Sequence, residues 1–261
     1  MPLAPLPDED LEFVLTAHEW CTPVIARLTL RPRDRRLEFT PGQYVLLQDE
    51  ERRVPVRSYS VANAPRDDGT LDVLVTAVPD GATSTWLARE AQIGEHLLVS
   101  GPYGSFVADP AHEGPTLYLA GGSGIAPALS LIEAAIARGA AEESDPAHRH
   151  TLLFSARSTE DLIDHERLSA LTDDHAGFEY LRTLTRVAEG DAEPPLGRVE
   201  VVLPSLIDDL GEHAVYLSGA PGFVDAGTRA AQALGARPGR LHTEEFYAEP
   251  VPWRGETTKE S

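Results

Sequence analysis

Two domains are predicted for this chain, an antiparallel β-barrel followed by an α/β domain built on a parallel sheet. Three observations carry that expectation. The chain has 261 residues, which is room for two domains of ordinary size, each with its own core. Up to about Pro110 it runs as short apolar stretches of strand length broken by turn signals such as Pro41-Gly42 and Asp68-Gly69, and spacing this tight suits an antiparallel barrel. After His112-Glu113-Gly114-Pro115 the apolar strands alternate with helical stretches, the pattern of a parallel sheet covered on both faces. The boundary is placed there, giving 1–111 as the barrel domain, 112–246 as the α/β domain and 247–261 as a C-terminal extension.

In the first half the strands are expected at Leu11 to His18, Val24 to Leu30, Tyr44 to Gln48, the tetrapeptide Arg57-Ser58-Tyr59-Ser60, and Leu71 to Val78. A short helix, Trp86 to Ala91, follows the glycine turn at Gly81. In the second half strands are expected at Thr116 to Ala120, Thr151 to Ala156, Glu179 to Thr185 and Ala214 to Ser218. Helices fill the gaps at Pro127 to Arg138, Thr159 to Leu171, Val201 to Leu206 and Gly222 to Leu234. The Thr159 helix is opened by a Ser158-Thr159 cap with Asp161 in its first turn. Ala140 to His150 and Glu189 to Pro195 read as polar connections, and Thr257 to Ser261 as a frayed end.

Composition narrows the chemistry. With 42% hydrophobic and 25% charged residues the chain is of globular type. It has no run near eighteen apolar residues and it starts acidic and Pro-rich, so neither a transmembrane helix nor a signal peptide is read, and a cytoplasmic location is the expectation. Cys21 is the sole cysteine, which excludes an internal disulfide framework, a zinc ribbon and an iron-sulfur cluster held by four cysteines of this chain. Lys259 is the sole lysine and argues against Schiff-base chemistry or a P-loop. A net charge of −20 opposes binding to nucleic acid or to an anionic membrane. No metal site is read, because His148, His150, His165, His175 and His242 lack ligand spacing. Gly121-Gly122-Ser123-Gly124-Ile125 fails the nucleophile-elbow pattern at its last position, which argues against a serine hydrolase.

Three segments could carry chemistry. Arg57-Ser58-Tyr59-Ser60 gathers a cation, an aromatic ring and hydroxyls in one strand, with Arg57 and Tyr59 expected on one face and the serines on the other. Such groups suit a phosphorylated planar cofactor, the guanidinium holding phosphate, the ring stacking and a hydroxyl reaching a ring nitrogen; an ordinary amphipathic strand is the other reading. Gly81-Ala82-Thr83-Ser84-Thr85 offers a glycine turn and three hydroxyls before a helix, either a phosphate cradle or a simple N-cap. Gly121-Gly122-Ser123-Gly124-Ile125-Ala126-Pro127 lies between a strand and a helix, where glycines let backbone approach a pyrophosphate. It departs from G-x-G-x-x-G because Pro127 holds the third glycine position.

Together these segments resemble the ferredoxin-NADP reductase-like flavoprotein reductases, in a bacterial form without a fused iron-sulfur domain. Arg57 to Ser60 matches the family's R-x-Y-S strand, Gly81 to Ser84 its G-x-x-S loop, and Gly121 to Pro127 its G-G/T-G-I-A-P loop. Gly101-Pro102-Tyr103-Gly104 resembles the G-P-x-G turn, Ser218 to Val224 the C-G-P-P-x-x-V segment, and His242 to Phe246 the closing E-x-aromatic motif. The resemblance runs in family order over residues 57 to 246. It implies an FAD enzyme that takes hydride from NAD(P)H and releases single electrons. It implies Arg57 on the flavin phosphates, Ser58 and Tyr59 along the flavin, Ser60 near N5, and Thr76, Gly81, Thr83, Ser84 and Thr85 around the cofactor. Gly122, Gly124 and Pro127 are then expected along the nicotinamide dinucleotide, Phe246 over the other flavin face, and Ser218 and Glu244 at the reaction centre. Ser218 stands where the family often has cysteine. Fifteen residues follow Phe246, as in bacterial members, and Trp253 among them either covers the adenine end of FAD or docks the tail.

Arg157, in Ser155-Ala156-Arg157-Ser158 after the second α/β strand, and Arg186 after the third can pair with the 2′-phosphate of NADPH. NADPH is therefore favoured slightly over NADH, although either arginine can instead pair with Asp161 or Asp164. Eight arginines, Arg27, Arg31, Arg33, Arg35, Arg36, Arg52, Arg53 and Arg57, make one stretch locally positive. Two readings stand equal, steering of an acidic acceptor such as ferredoxin or flavodoxin, or solvated loop arginines. Alternatives to the free-standing reductase are an electron-transfer subunit of an oxygenase or other redox complex, and a free-flavin reductase.

Overall fold

The computed structural model describes residues 10–139, 149–186 and 195–247, and both expected sheets form. Six strands, β1 (Leu11–Trp20), β2 (Ile25–Pro32), β3 (Tyr44–Asp49), β4 (Arg57–Ser60), β5 (Leu71–Thr76) and β6 (His96–Tyr103), make an antiparallel sheet in the order β4-β3-β6-β1-β2-β5. Its edges meet just beyond Ser60, where Val61 bridges to Val73 and the Ala62 N–H donates to Asp72 O at 2.7 Å. That contact closes the sheet into a barrel. Alternate residues, such as Leu28 and Leu30 on β2, Val45 and Leu47 on β3, and Leu97 and Val99 on β6, point inward and are fully buried. Strand β6 is absent from the sequence reading because Gly101-Pro102 within it signals a turn.

The second sheet is wholly parallel. Strands β7 (Thr116–Gly121), β8 (His150–Ala156), β9 (Phe178–Leu184), β10 (Ala214–Gly219) and β11 (Leu241–Glu245) lie in the order β11-β10-β7-β8-β9. The buried residues Ile125, Leu129 and Ile132 of α2 (Ile125–Ala137) pack on one face. Helices α4 (Val199–Leu206) and α5 (Pro221–Ala233) cover the other through Val199, Leu203 and Val224. The edge strand β11 escapes a sequence reading because His242, Glu244 and Glu245 break its apolar pattern.

Two predicted helices differ. The helix expected from Thr159 starts only at α3 (His165–Asp174), because Ser158 and Asp161 close a separate 3₁₀ turn through a reciprocal capping box. The helix expected at Trp86 to Ala91 is instead a four-residue helix, α1 (Ala82–Thr85), running into one π turn over Trp86–Glu90. Trp253 and the tail from residue 248 lie outside the described residues.

The two sheets are joined by hydrogen bonds close to the carboxyl ends of the parallel strands. Thr76 Oγ1 donates to Ser123 Oγ at 3.0 Å, Ser130 Oγ donates to Asn63 O at 2.7 Å, and Arg27 pairs with Asp164 at 2.7 Å. Ligands of open parallel sheets bind beyond those carboxyl ends, so the junction is where a site is expected.

Candidate active site

A cavity of about 1030 Å³ lies between the two sheets and is lined by both. It is at the upper end of the range for small-molecule and cofactor sites. The barrel contributes Arg57, Ser58, Tyr59, Ser60, Thr76, Gly81, Thr83 and Ser84, and the α/β domain contributes Gly122, Arg157, Arg186, Glu244 and Phe246. Thus most candidates that stand far apart in sequence share one wall or the other. Four candidates do not line it: Thr85, Gly124, Pro127 and Ser218.

Strand β4 is short and lies at the barrel edge beside β3, and all four of its residues reach the cavity. Face alternation therefore does not divide them as the sequence suggested. Tyr59 packs against the barrel core while lining the cavity, and burial holds its phenol well above the ordinary range, so it presents a neutral ring. The Arg57 guanidinium donates to Val56 O at 2.8 Å and has no carboxylate partner among the described residues. Ser60 is buried, and its Oγ donates to Glu244 Oε1 at 2.8 Å. Burial raises the Glu244 carboxyl above its ordinary value, and the Ser60 hydrogen bond offsets part of that rise.

The hydroxyls of the Gly81 loop are turned to backbone carbonyls, two local and one on the Pro55 segment. Thr83 Oγ1 donates to Pro55 O at 2.5 Å, Ser84 Oγ to Gly81 O at 3.3 Å and Thr85 Oγ1 to Val78 O at 3.2 Å. No side chain caps the first turn of α1. The groups left for an anion are its backbone N–H donors, and the hydroxyls shape the loop that presents them.

In the glycine loop the residues divide by role. Gly122 takes a positive φ of 57°, lines the cavity, and has open space where a Cβ would stand. Gly124 is buried, and a Cβ there would lie 2.5 Å from Ser218 O. Ser218 is fully buried, with Oγ donating to Gly124 O at 2.6 Å. The Ser218 hydroxyl thus ties the glycine loop to β10. Pro127 is likewise buried within α2. Phe246 faces the cavity and is tethered by its N–H to Gly219 O at 2.8 Å.

Arg157 and Arg186 stand just beyond β8 and β9 and are joined by a backbone bond, Arg186 N–H to Arg157 O at 2.8 Å. Sequence reasoning missed Arg198, which precedes α4 and lines the same cavity. The acids that were alternative partners are engaged elsewhere. Asp161 accepts from Ser158, and Asp164 accepts from Arg27 and Arg167. None of the three arginines has a carboxylate partner among the described residues. Tyr44 and Ser123 also line the cavity without having been singled out.

The locally positive stretch changes character on folding. Arg33 pairs with Glu12, Arg36 with Glu38, Arg52 with Asp10, and Arg53 with Asp49, Glu51 and Glu95. Much of its charge is matched by acids at its own surface, several of them distant in sequence. Among the described residues no helix is long and apolar enough to cross a membrane, and no group of three or more His, Cys, Asp or Glu side chains could hold a metal ion.

The residues that line the cavity suit a phosphorylated cofactor with a planar ring. A guanidinium with no carboxylate partner among the described residues and an uncapped helix start suit phosphates, a half-buried neutral phenol suits a ring face, and the positive-φ glycine leaves room for close approach. Comparison with known proteins agrees. Residues 15–107 match an oxidoreductase FAD-binding domain and residues 118–229 an oxidoreductase NAD-binding domain. The ferredoxin–NAD(P)(+) reductase component of the naphthalene 1,2-dioxygenase/salicylate 5-hydroxylase systems of Ralstonia sp is 36% identical over 91% of this chain and 69% of its own length. The chain belongs to the ferredoxin–NAD(P)(+) reductase family. A second such reductase, from the naphthalene 1,2-dioxygenase system of Pseudomonas putida, is 32% identical over 92% of this chain and 70% of its own. The solved ferredoxin reductase in carbazole 1,9a-dioxygenase superposes with a TM-score of 0.81 at 26% identity, covering 95% of this chain and 71% of that one. As a member of this reductase family the chain is an NAD(P)H-dependent flavoprotein oxidoreductase with FAD as cofactor.

Proposed function

We propose that this reductase is the electron-entry component of an oxygenase system, passing electrons from NAD(P)H through FAD to a ferredoxin or flavodoxin. The single observation that carries this reading is the Ser60–Glu244 hydrogen bond, which joins the barrel wall to the α/β wall inside one cavity. The matched relatives, named as reductase components of dioxygenase systems, support the acceptor class.

When bound, FAD supplies the conversion of a hydride into single electrons. The chain's own residues do the rest. Arg57 and the N–H groups of Ala82, Thr83 and Ser84 hold the phosphates. Tyr59 and Phe246, the latter tethered to Gly219, would hold the ring system between them. The backbone of Gly122 would receive the nicotinamide dinucleotide, while Gly124, Ser218 and Pro127 keep that loop in place. Ser60 directs its hydroxyl to the reacting edge, and Glu244 fixes that hydroxyl and exchanges protons through it.

NADPH is the preferred donor in this reading, because Arg157, Arg186 and Arg198 line the cavity without carboxylate partners among the described residues. The domain limits are those of the sequence reading, 1–111, 112–246 and 247–261, and the place of action is the cytoplasm. Residues of the arginine stretch contribute to docking an acidic acceptor only through charge not already matched locally. A second reading, a subunit with no turnover of its own, is favoured by the relatives' being named as components of larger systems.

Anaerobic stopped-flow mixing of the flavin-loaded protein with NADPH and with NADH, followed by ferredoxin, tests the proposal. Rapid bleaching of the flavin band by NADPH, then reoxidation by ferredoxin, is expected. A protein that cannot take up FAD overturns it, and one reduced by neither nucleotide favours the dependent subunit.

A further inference from the structure

We propose that Asp164 is a positioning residue for hydride transfer, the centre of a relay running from Arg27 through Asp164, Arg167 and Glu133 to the Ala64 N–H. The relay crosses between barrel and α/β domain twice, so it sets the angle at which the nicotinamide loop meets the flavin wall. This rests on the reading of the cavity as the meeting place of the two cofactors.

Asp164 immediately precedes α3, where an aspartate side chain ordinarily caps the helix N–H groups. It makes no such cap. Its backbone is left-handed, φ 53° and ψ 27°, a region that residues other than glycine seldom occupy. Its carboxylate instead takes two ion pairs, one long-range and one three residues on. Asp164 Oδ2 accepts from Arg27 Nη2 on β2 at 2.7 Å and from Arg167 Nη1 on α3 at 3.1 Å. A residue that forgoes its local preferences in this way marks a position the fold holds for another reason.

The rest of the relay returns to the barrel. Arg167 Nη2 donates to Glu133 Oε1 on α2, and Glu133 Oε2 accepts the Ala64 N–H at 2.9 Å. One turn earlier on α2, Ser130 Oγ donates to Asn63 O at 2.7 Å. The Arg27 and Asp164 side chains are only 18% and 10% exposed, so solvent screens the pair weakly. Each end holds a segment that carries cavity residues. Helix α2 follows directly on the Gly121–Gly124 loop, Asp164 follows Arg157 to Asp161, and β2 pairs with β5, whose Leu74 and Thr76 line the cavity. A displacement of about 1 Å between reacting atoms lowers a rate by on the order of a hundredfold, so an angular error here reaches the chemistry.

Asp164→Asn keeps an acceptor and a side chain tolerated in left-handed backbone while removing the charge, and Arg167→Met breaks the relay one step further on. Both are compared with the unaltered protein, all flavin-loaded, by hydrogen exchange over residues 61–66 and by single-turnover flavin reduction. Expected in both variants is exchange at 61–66 faster by about fivefold or more, and a limiting reduction rate lower by about tenfold, with the nicotinamide dissociation constant changed less than about twofold. Unchanged exchange at 61–66, or a rate loss accompanied by an equal loss of nucleotide affinity, overturns the proposal. If the unaltered chain takes up no flavin, the cavity reading fails instead, and the exchange arm still reports whether the relay spans the interface.

Discussion

Ser60 Oγ and Glu244 Oε1 are 2.8 Å apart although 184 residues separate them in sequence. Ser60 ends the short edge strand of the barrel, and Glu244 lies on the edge strand of the parallel sheet, paired with Ser218. The bond is the one direct side-chain link, among the described residues, between two groups of the site assigned to the reaction centre. Ser60→Ala is expected to keep flavin but slow flavin reduction by about tenfold or more, the scale of a positioned proton-transfer group. Stopped-flow reduction at saturating nucleotide reads the effect, and an unaltered rate would remove Ser60 from the reacting edge.

The raised Glu244 carboxyl gives a stability prediction with a definite sign. A group whose folded value exceeds its ordinary 4.5 binds its proton more tightly in the folded state, so stability falls as pH rises through the interval between the two values. Glu244→Gln removes that loss. Chemical denaturation of both proteins from pH 4 to pH 8 is expected to show the variant gaining relative to the parent as pH rises. A constant difference across the series would mean that Glu244 ionises normally.

Arg57→Ala is expected to weaken FAD binding by about tenfold to a hundredfold, the loss of one charge-assisted phosphate contact. Gel filtration with absorbance at the flavin band checks it. Full retention of flavin would place the phosphates elsewhere.

Arg157, Arg186 and Arg198 predict a donor-specific effect. Arg157→Ala with Arg186→Ala and Arg198→Ala is expected to raise KM for NADPH by about a hundredfold and to leave KM for NADH within about threefold, because only NADPH carries the 2′-phosphate. Equal changes for the two nucleotides would show that the arginines serve another purpose.

Two glycines of one loop predict opposite outcomes on substitution. Gly124→Ala would set a Cβ 2.5 Å from Ser218 O and 2.6 Å from Gly219 backbone, and neither atom can yield without moving β10. It is expected to lower stability by about 2 kcal/mol or more. Gly122→Ala meets no atom within 4 Å and costs only the backbone penalty of a positive φ, about 1 kcal/mol. Its main effect is then on nucleotide affinity. Thermal unfolding beside nucleotide titration separates the two.

The sequence alone determined what depends on local period and local turn chemistry. Alternation of two residues, then strands spaced by helical stretches, sufficed for a barrel followed by a parallel sheet, and the glycine loop was legible because a close backbone approach demands glycine nearby in sequence. Strands β6 and β11 were not legible, since a Gly-Pro pair and a run of polar residues override the period that would have marked them. Only the tertiary structure decided which candidates share the cavity. It turned Ser218 inward to hold Gly124 and brought Arg198 to the wall. It also matched the arginine stretch with acids such as Glu12 and Asp10, and joined Arg27 to Asp164 across 137 residues. The reason is physical: hydrogen bonds and ion pairs depend on distance in space, and a chain that closes one sheet against another brings together side chains whose separation in sequence carries no sign of the meeting.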